Sequence, residues 1–247
     1  MKENTFRHRI DKETINRLPV AAFDGEVVVV RTEQALAAAI DYLNRQKYVG
    51  VDTETRPSFV HGFYYPTSLI QIATEQRCYL FQIKHLGFPK PLRDFFGNPA
   101  VAKIWLAFND DLVGLRRLHY FEPRNCIDIQ KIVNRWGILD MGLQKVFAIV
   151  FGQKITKNQQ LTNWENPVLT DEQARYASTD AWATLRIYLE LINTEQLPEK
   201  QCKKIIEEDH ILQVKRQQEQ QALALQKRAE EAKKAEEAKN NNKPEKA

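Results

Sequence analysis

The chain has 247 residues, 43% of them hydrophobic, which is enough to enclose one ordinary globular core with chain to spare. Its formal charge of +4, from 36 basic against 32 acidic residues, excludes a chain coated in one sign of charge and leaves local patches as the only sites for a polyanion. Three widely spaced cysteines, Cys78, Cys126 and Cys202, exclude a disulfide framework and a C-x-x-C zinc site.

In chain order, residues 1–25 read as a polar lead-in without the apolar centre of a signal peptide. No stretch approaches the length of a membrane span, so a cytoplasmic protein without membrane association is expected. The valine run of 26–31 predicts a buried strand, and Thr32 can cap a helix over 33–46, where Leu36, Ala39, Ile40 and Leu43 recur at helical spacing. Strands are predicted at 48–54, 68–73 and 77–82, the last two joined as a hairpin. A short helix at 91–96, a strand at 101–108, a helix at 110–120 and a strand at 126–128 follow. Helices then dominate, at 129–135, 142–151 and 171–194. Strands that first alternate with helices and then give way to them indicate an α/β domain with a mixed central sheet, expected over 26–198. From 199 to 247, Ala, Gln, Glu and Lys prevail, which predicts a charged, solvated helical tail with a disordered end over 240–247. A coiled coil is poorly supported, because no apolar seam persists over three heptads.

Acidic residues recur where these elements end. Asp52 and Glu54 are two apart on a strand and so point to one face. Such a pair suits a cation between them, a protonated acid, or plain solvation at a strand end. Asp110 and Asp111 sit at a helix N-terminus, where capping is a serious alternative explanation. Asp111 shares its helical face with Leu115 and Leu118, the side that packs on the sheet, and is assigned to the site. Asp110 falls on the face of Val113 and Arg117 and is assigned to capping or solvent. Tyr176 and Asp180, four apart, stack on one face of a helix opened by the capping-box pair Thr170 and Gln173. They read either as a plain hydrogen-bonded pair or as a water-orienting group beside a metal ligand. Asp52, Glu54, Asp111 and Asp180 offer hard oxygen ligands without a histidine or cysteine companion. That set suits Mg²⁺ or Mn²⁺ rather than zinc. Two such ions can drive phosphodiester hydrolysis.

At this point the sequence resembles the DEDD superfamily of 3′→5′ exonucleases in its tyrosine-bearing branch, which includes ribonuclease D and Werner-type exonuclease domains. Val49-Gly-Val-Asp52-Thr-Glu54-Thr matches the first motif and Phe108-Asn-Asp-Asp111-Leu112 the second. Leu161-Thr-Asn-Trp164, Pro167-Val-Leu-Thr170 and Gln173-Ala-Arg-Tyr176-Ala-Ser-Thr-Asp180 match the third, and Ser68-Leu-Ile-Gln71-Ile-Ala resembles the family's second strand. The resemblance covers roughly 26–197. It implies an RNase H-like sheet flanked by helices. It also implies removal of nucleotides one at a time from a 3′ end as nucleoside 5′-monophosphates, with two metal ions. Asp52, Glu54 and Asp180 would hold the first metal. Asp52 would also hold the second, with Asp111 acting largely through water, and Tyr176 would orient the attacking water. The histidine-bearing branch places its histidine where Arg175 stands here.

Candidate substrate contacts are Thr53, Phe63, Phe108 and Lys157. Phe59, Phe63, Tyr64 and Tyr65 can stack on a terminal base or close the core. Phe108 can wedge a nucleotide or pack. Lys154, Lys157 and Arg175 can meet phosphate or simply solvent. Trp164 is expected as a packing anchor, and His61, His119 and His210 as structural or exposed. The residues past 198 do not resemble the compact helical domains that follow the ribonuclease D catalytic domain. A single-stranded 3′ end of either DNA or RNA is therefore the expected substrate. The competing readings are a nuclease-like module that binds without cutting, and an assembly role in which the tail engages a protein partner.

Overall fold

The computed structural model of the chain describes residues 1–241. Met1–Pro198 form one compact unit, and a second begins at Glu199. In the first, a short helix α1 (Lys12–Arg17) precedes β1 (Glu26–Val30), α2 (Glu33–Asn44), β2 (Tyr48–Thr55), β3 (Thr67–Ala73) and β4 (Arg77–Gln82). Then come α3 (Ile83–Leu86), α4 (Lys90–Gly97), β5 (Ala102–Trp105), α5 (Phe108–Leu118), β6 (Cys126–Asp128), two 3₁₀ turns (Ile129–Lys131 and Val133–Trp136), α6 (Leu143–Phe151) and α7 (Asp171–Asn193). The helix α8 (Glu199–Asn241) makes up the second unit; its apolar residues gather on no single face, and Ile206, Ile211, Leu212, Leu223 and Leu225 are exposed. The disordered end expected over 240–247 falls almost wholly outside the described residues. No described helix is long and apolar enough to cross a membrane.

The strands form one sheet in the order β1-β4-β3-β2-β5-β6. The β2–β3–β4 meander is antiparallel, whereas β1 joins β4, β5 joins β2 and β6 joins β5 in parallel. This is the mixed α/β architecture of the RNase H-like class. The two sheet faces carry separate cores, as expected of a sheet covered on both sides. One, with Leu36, Ile70, Phe81, Phe96 and Trp105, lies under α2 and α4. The other, with Leu69, Ile104, Phe147, Ala177, Ala181 and Leu185, lies under α6 and α7. The polar lead-in adds to the second core: Ile10, Ile15 and Phe23 are buried there, and Ala21 and Lys154 pair backbone to backbone.

Some boundaries differ from the sequence pattern. The strand expected over 101–108 is only Ala102–Trp105, and α5 starts at Phe108 instead of 110. Its N-cap, Ala107, takes a left-handed conformation (φ 64°). Asp128 holds it there, accepting hydrogen bonds from Ala107 N (3.1 Å) and Phe108 N (3.2 Å) across the gap between β6 and α5. The helix expected at 129–135 splits into the two 3₁₀ turns, and α3 has no counterpart in the expected elements.

The contact that places α7 on the sheet is at Gly50 of β2. A Cβ added there would stand 2.0 Å from Ala181 O and 2.9 Å from Leu185 Cβ. No relaxation short of moving the helix resolves a 2.0 Å backbone clash. Gly50→Ala is therefore expected to lower stability by about 1–3 kcal/mol or more, measured by chemical unfolding. Gly97→Ala is the control: its added Cβ meets nothing closer than Glu122 O at 3.4 Å, and it should change stability by less than about 0.5 kcal/mol.

Candidate active site

β2 alternates, so Gly50, Asp52 and Glu54 leave the sheet on the face that α7 covers. Because α7 crosses so close to Gly50, with Ala181 O at the nearest point, the adjoining residue, Asp180, arrives beside the two strand acids. One carboxylate oxygen from each of Asp52, Glu54 and Asp180 lies within 4.8 Å of the other two. Asp180 is 8% exposed, and Asp52 and Glu54 are half-buried.

Electrostatics follow from that crowding. Burial, reinforced by Asp180, Glu54 and Asp111, holds the Asp52 carboxyl well above the usual carboxylate range. Burial, with Asp180 and Asp111 adding, pushes Glu54 up to about 9. Burial takes Asp180 to about 7, although a hydrogen bond from Tyr176 and the charge of Lys157 oppose the rise. Tyr176 is itself pushed up by burial and by these same carboxylates, so it stays a phenol and donates to Asp180.

The second motif supplies the fourth acid. Asp111, in the first turn of α5, is half-buried and accepts a hydrogen bond from the Thr53 hydroxyl. Burial raises it to about 7 against that hydrogen bond. Asp110 points to solvent. The helical face thus separates the two acids as the spacing suggested. Asp111 is not among the three acids whose oxygens fall within 4.8 Å of one another.

Local sequence explains why Tyr176 and Asp180 are held firmly. The Thr170 hydroxyl accepts from Gln173 N (3.2 Å), and Gln173 Oε1 accepts from Thr170 N (3.1 Å), closing the capping box. Gln173 Nε2 also donates to Thr162 Oγ1 (3.0 Å) and Asn163 O (3.3 Å), tying the Asn-Trp lead-in to the helix. Trp164, 1% exposed, stacks on the Tyr176 ring with centroids 5.9 Å apart.

The candidate substrate contacts divide. Phe63 is 50% exposed and stands edge-on to Tyr65 in the loop after β2, so a free ring face remains there. Phe59 and Tyr64 are still more exposed. Arg56 ties this loop to the one before α7 through Glu165 (3.2 Å) and lies over the Tyr65 ring. Lys157 is exposed with its charge felt at Asp180. Phe108, in contrast, packs on Trp105 at 5.1 Å and joins the core, and the Thr53 hydroxyl is already committed to Asp111. Lys154 donates to Asn16 O (2.5 Å) and serves the lead-in, and His119 pairs with Arg93. Two residues to which the sequence reading gave no role in the site also bear on it. Asp128 sets the start of α5 and so the position of Asp111; its only sequence signal is an acid closing a short strand. Gln71 lies opposite Asp52 on β3; its signal is a polar residue set between Ile70 and Ile72.

A model of the 3′-5′ exonuclease family matches residues 27–195. The chain belongs to the 3′-5′ exonuclease family. It is 30% identical over 156 residues to the bifunctional 3′-5′ exonuclease/ATP-dependent helicase WRN of Mus musculus, covering 59% of this chain and 11% of that protein. It is 27% identical over 167 residues to ribonuclease D of Pseudomonas paraeruginosa, covering 67% of this chain and 44% of that one. The chain thus spans less than half the length of either relative. The crystal structure of Escherichia coli RNase D matches with a TM-score of 0.61 at 22% identity, over 78% of this chain and 51% of that chain, a likeness of fold.

The donor set of this site suits a divalent metal. Three converging carboxylates with no soft ligand match the chemistry of a hard cation, and their mutual repulsion is what such a cation relieves.

Two predictions follow from the site. Each of the four acids has its folded pKa raised above the ordinary 3.8 or 4.5. The stability their protonated forms contribute is full below those ordinary values and is lost as pH climbs through about 7 and then about 9. In EDTA the melting temperature should fall steadily from about pH 5 to about pH 9. Asp52→Asn should flatten that fall and melt higher than wild type at the alkaline end, and added Mg²⁺ should restore the wild type alone; a flat wild-type profile would contradict the repulsion. In nuclease assays Asp110→Asn should stay within about twofold of wild type. Asp111→Asn should lose at least about tenfold, and the reverse order would refute the assignment of faces.

Proposed function

We propose that the chain hydrolyses the terminal phosphodiester bond at the 3′ end of a single-stranded nucleic acid and releases nucleoside 5′-monophosphates, using two divalent ions, Mg²⁺ or Mn²⁺. The observation that carries this reading is the convergence of Asp52, Glu54 and Asp180 within 4.8 Å in a desolvated setting beside a buried tyrosine hydroxyl. Asp52, Glu54 and Asp180 would hold one ion. Asp52 would share the other with Asp111, which lies outside the tight cluster and would act largely through water. When bound, the ions supply Lewis acidity toward the phosphate and offset charge on the attacking and leaving oxygens.

The protein's own groups do the rest. Tyr176 stays protonated, so its hydroxyl can orient a water for attack but cannot act as a base. The hydrogen bond to Asp180 and the stack on Trp164 fix that hydroxyl, which limits the cost of aligning it. Lys157, already close enough to act on Asp180, offers positive charge to the scissile phosphate. Phe63 offers an exposed ring to the terminal base, with its loop braced by Arg56 and Glu165. Phe108 contributes by packing α5 rather than by stacking on the base.

The test uses single-stranded RNA and DNA of one sequence, each labelled at the 5′ end, with Mg²⁺, Mn²⁺ or EDTA. A ladder shortened from the 3′ end, abolished by EDTA and by Asp52→Asn, is expected, and the faster substrate identifies the preferred sugar. Binding without shortening in either metal would overturn the hydrolytic reading.

A further inference from the structure

β3 is buried along its whole length, yet Gln71, between Ile70 and Ile72, is polar. Gln71 is fully buried, and neither its Oε1 nor its Nε2 has a hydrogen-bonding partner. An amide in that condition gives up its hydrogen bonds to water with no return, and a methionine or leucine would fill the same space without that cost. Buried polar side chains are nearly always satisfied, so this one calls for a partner.

The register identifies the partner. Gln71 lies directly opposite Asp52 in the antiparallel β2–β3 pair. Their side chains leave the sheet on the same face, with Cβ atoms about 4.5–5.5 Å apart. On its other flank Gln71 faces Leu80 of β4, which offers nothing polar. The buried hydroxyls of α7 spend their protons on helix carbonyls, Ser178 on Ala174 O (2.7 Å), Thr179 on Arg175 O (2.7 Å) and Thr184 on Asp180 O (3.0 Å), and none of them hydrogen-bonds Gln71. An ionised carboxylate has two oxygens, each able to accept from more than one side. A cation takes only the lone pairs that point toward it, and the oxygen turned away still needs a donor.

We propose that Gln71 is a positioning residue for Asp52: its Nε2–H donates to the Asp52 carboxylate and holds it turned toward the divalent cation. The proposal rests on the metal reading given above. Gln71 touches neither substrate nor metal. It acts by fixing the one carboxylate that both ions would share, as donors behind a ligand commonly do. It also accounts for a glutamine between Ile70 and Ile72 of a fully buried strand.

The experiment is thermal unfolding against Mn²⁺ concentration for wild type, Gln71→Met and Asp52→Asn. Gln71→Met should melt no lower than wild type in EDTA, because it removes an unsatisfied buried amide. It should need about tenfold more Mn²⁺ for half-maximal stabilisation, with kcat lowered and KM for the oligonucleotide unchanged. A Mn²⁺ midpoint equal to that of wild type would overturn the role of Gln71 and leave the metal site standing. Absence of any Mn²⁺ stabilisation in wild type would overturn both. A second measurement covers a Gln71→Met chain that does not fold. In ¹⁵N-glutamine-labelled wild type, the Gln71 side-chain amide, assigned by its loss in Gln71→Asn, should shift on adding Mg²⁺, and should not shift in Asp52→Asn. An amide unmoved by Mg²⁺ in wild type refutes the bond.

Discussion

The crossing of α7 over Gly50 governs this molecule. A helix packed on a sheet is normally held off by side chains, but here the strand offers none, and helix backbone meets strand backbone. That closeness brings Asp180 level with Asp52 and Glu54 and leaves three carboxylates within 4.8 Å of one another under a helix. Burial is what chiefly favours the protonated acids there, and the neighbouring carboxylates add to it at Asp52 and Glu54, which is why the protein alone answers by holding protons. The fold therefore stores an electrostatic conflict that a divalent cation would relieve. On this view the site's affinity for metal and its cost to the metal-free fold have the same origin.

The fourth acid depends on a different and longer-range device. Asp111 sits where it does because α5 begins early, at Phe108, and α5 begins there because Asp128 caps it from the end of β6. Thr53, lying between the two strand acids, then reaches across to Asp111 and joins the two arms of the site. On the third side, the capping box and the stack of Trp164 on Tyr176 fix the start of α7. The acids thus stand on rigid elements, whereas the exposed aromatic rings stand on a loop, a division suited to fixed chemistry and an adaptable grip on substrate.

Much of this was legible in local pattern. Two-residue spacing on a strand put Asp52 and Glu54 on one face, helical spacing paired Tyr176 with Asp180, and the faces of α5 separated Asp111 from Asp110. The mixed sheet followed from the order of strands and helices, and the place of Trp164 in the core from the family resemblance. What was missed is non-local. The cap on α5 comes from a residue twenty positions or more along the chain, so the helix start could not be read from its own residues. The lead-in buries Ile10, Ile15 and Phe23, too few and too irregular for a period to show. Phe108 could wedge or pack on sequence grounds, and the neighbour that makes it pack, Trp105, is set by the tight turn between them. Gln71 carried a visible signal, a polar residue amid Leu, Ile and Ala, but its meaning required the register of β3 against β2.

The central claim is that the cluster on β2 and α7 exists to hold a divalent cation. The most direct measurement is an anomalous difference map from crystals grown with Mn²⁺ and a nucleoside 5′-monophosphate. The account predicts a strong peak bridging the carboxylates of Asp52, Glu54 and Asp180, with the nucleotide phosphate turned toward it. A map without a peak at those three side chains, at a Mn²⁺ concentration that saturates any thermal stabilisation, would contradict it.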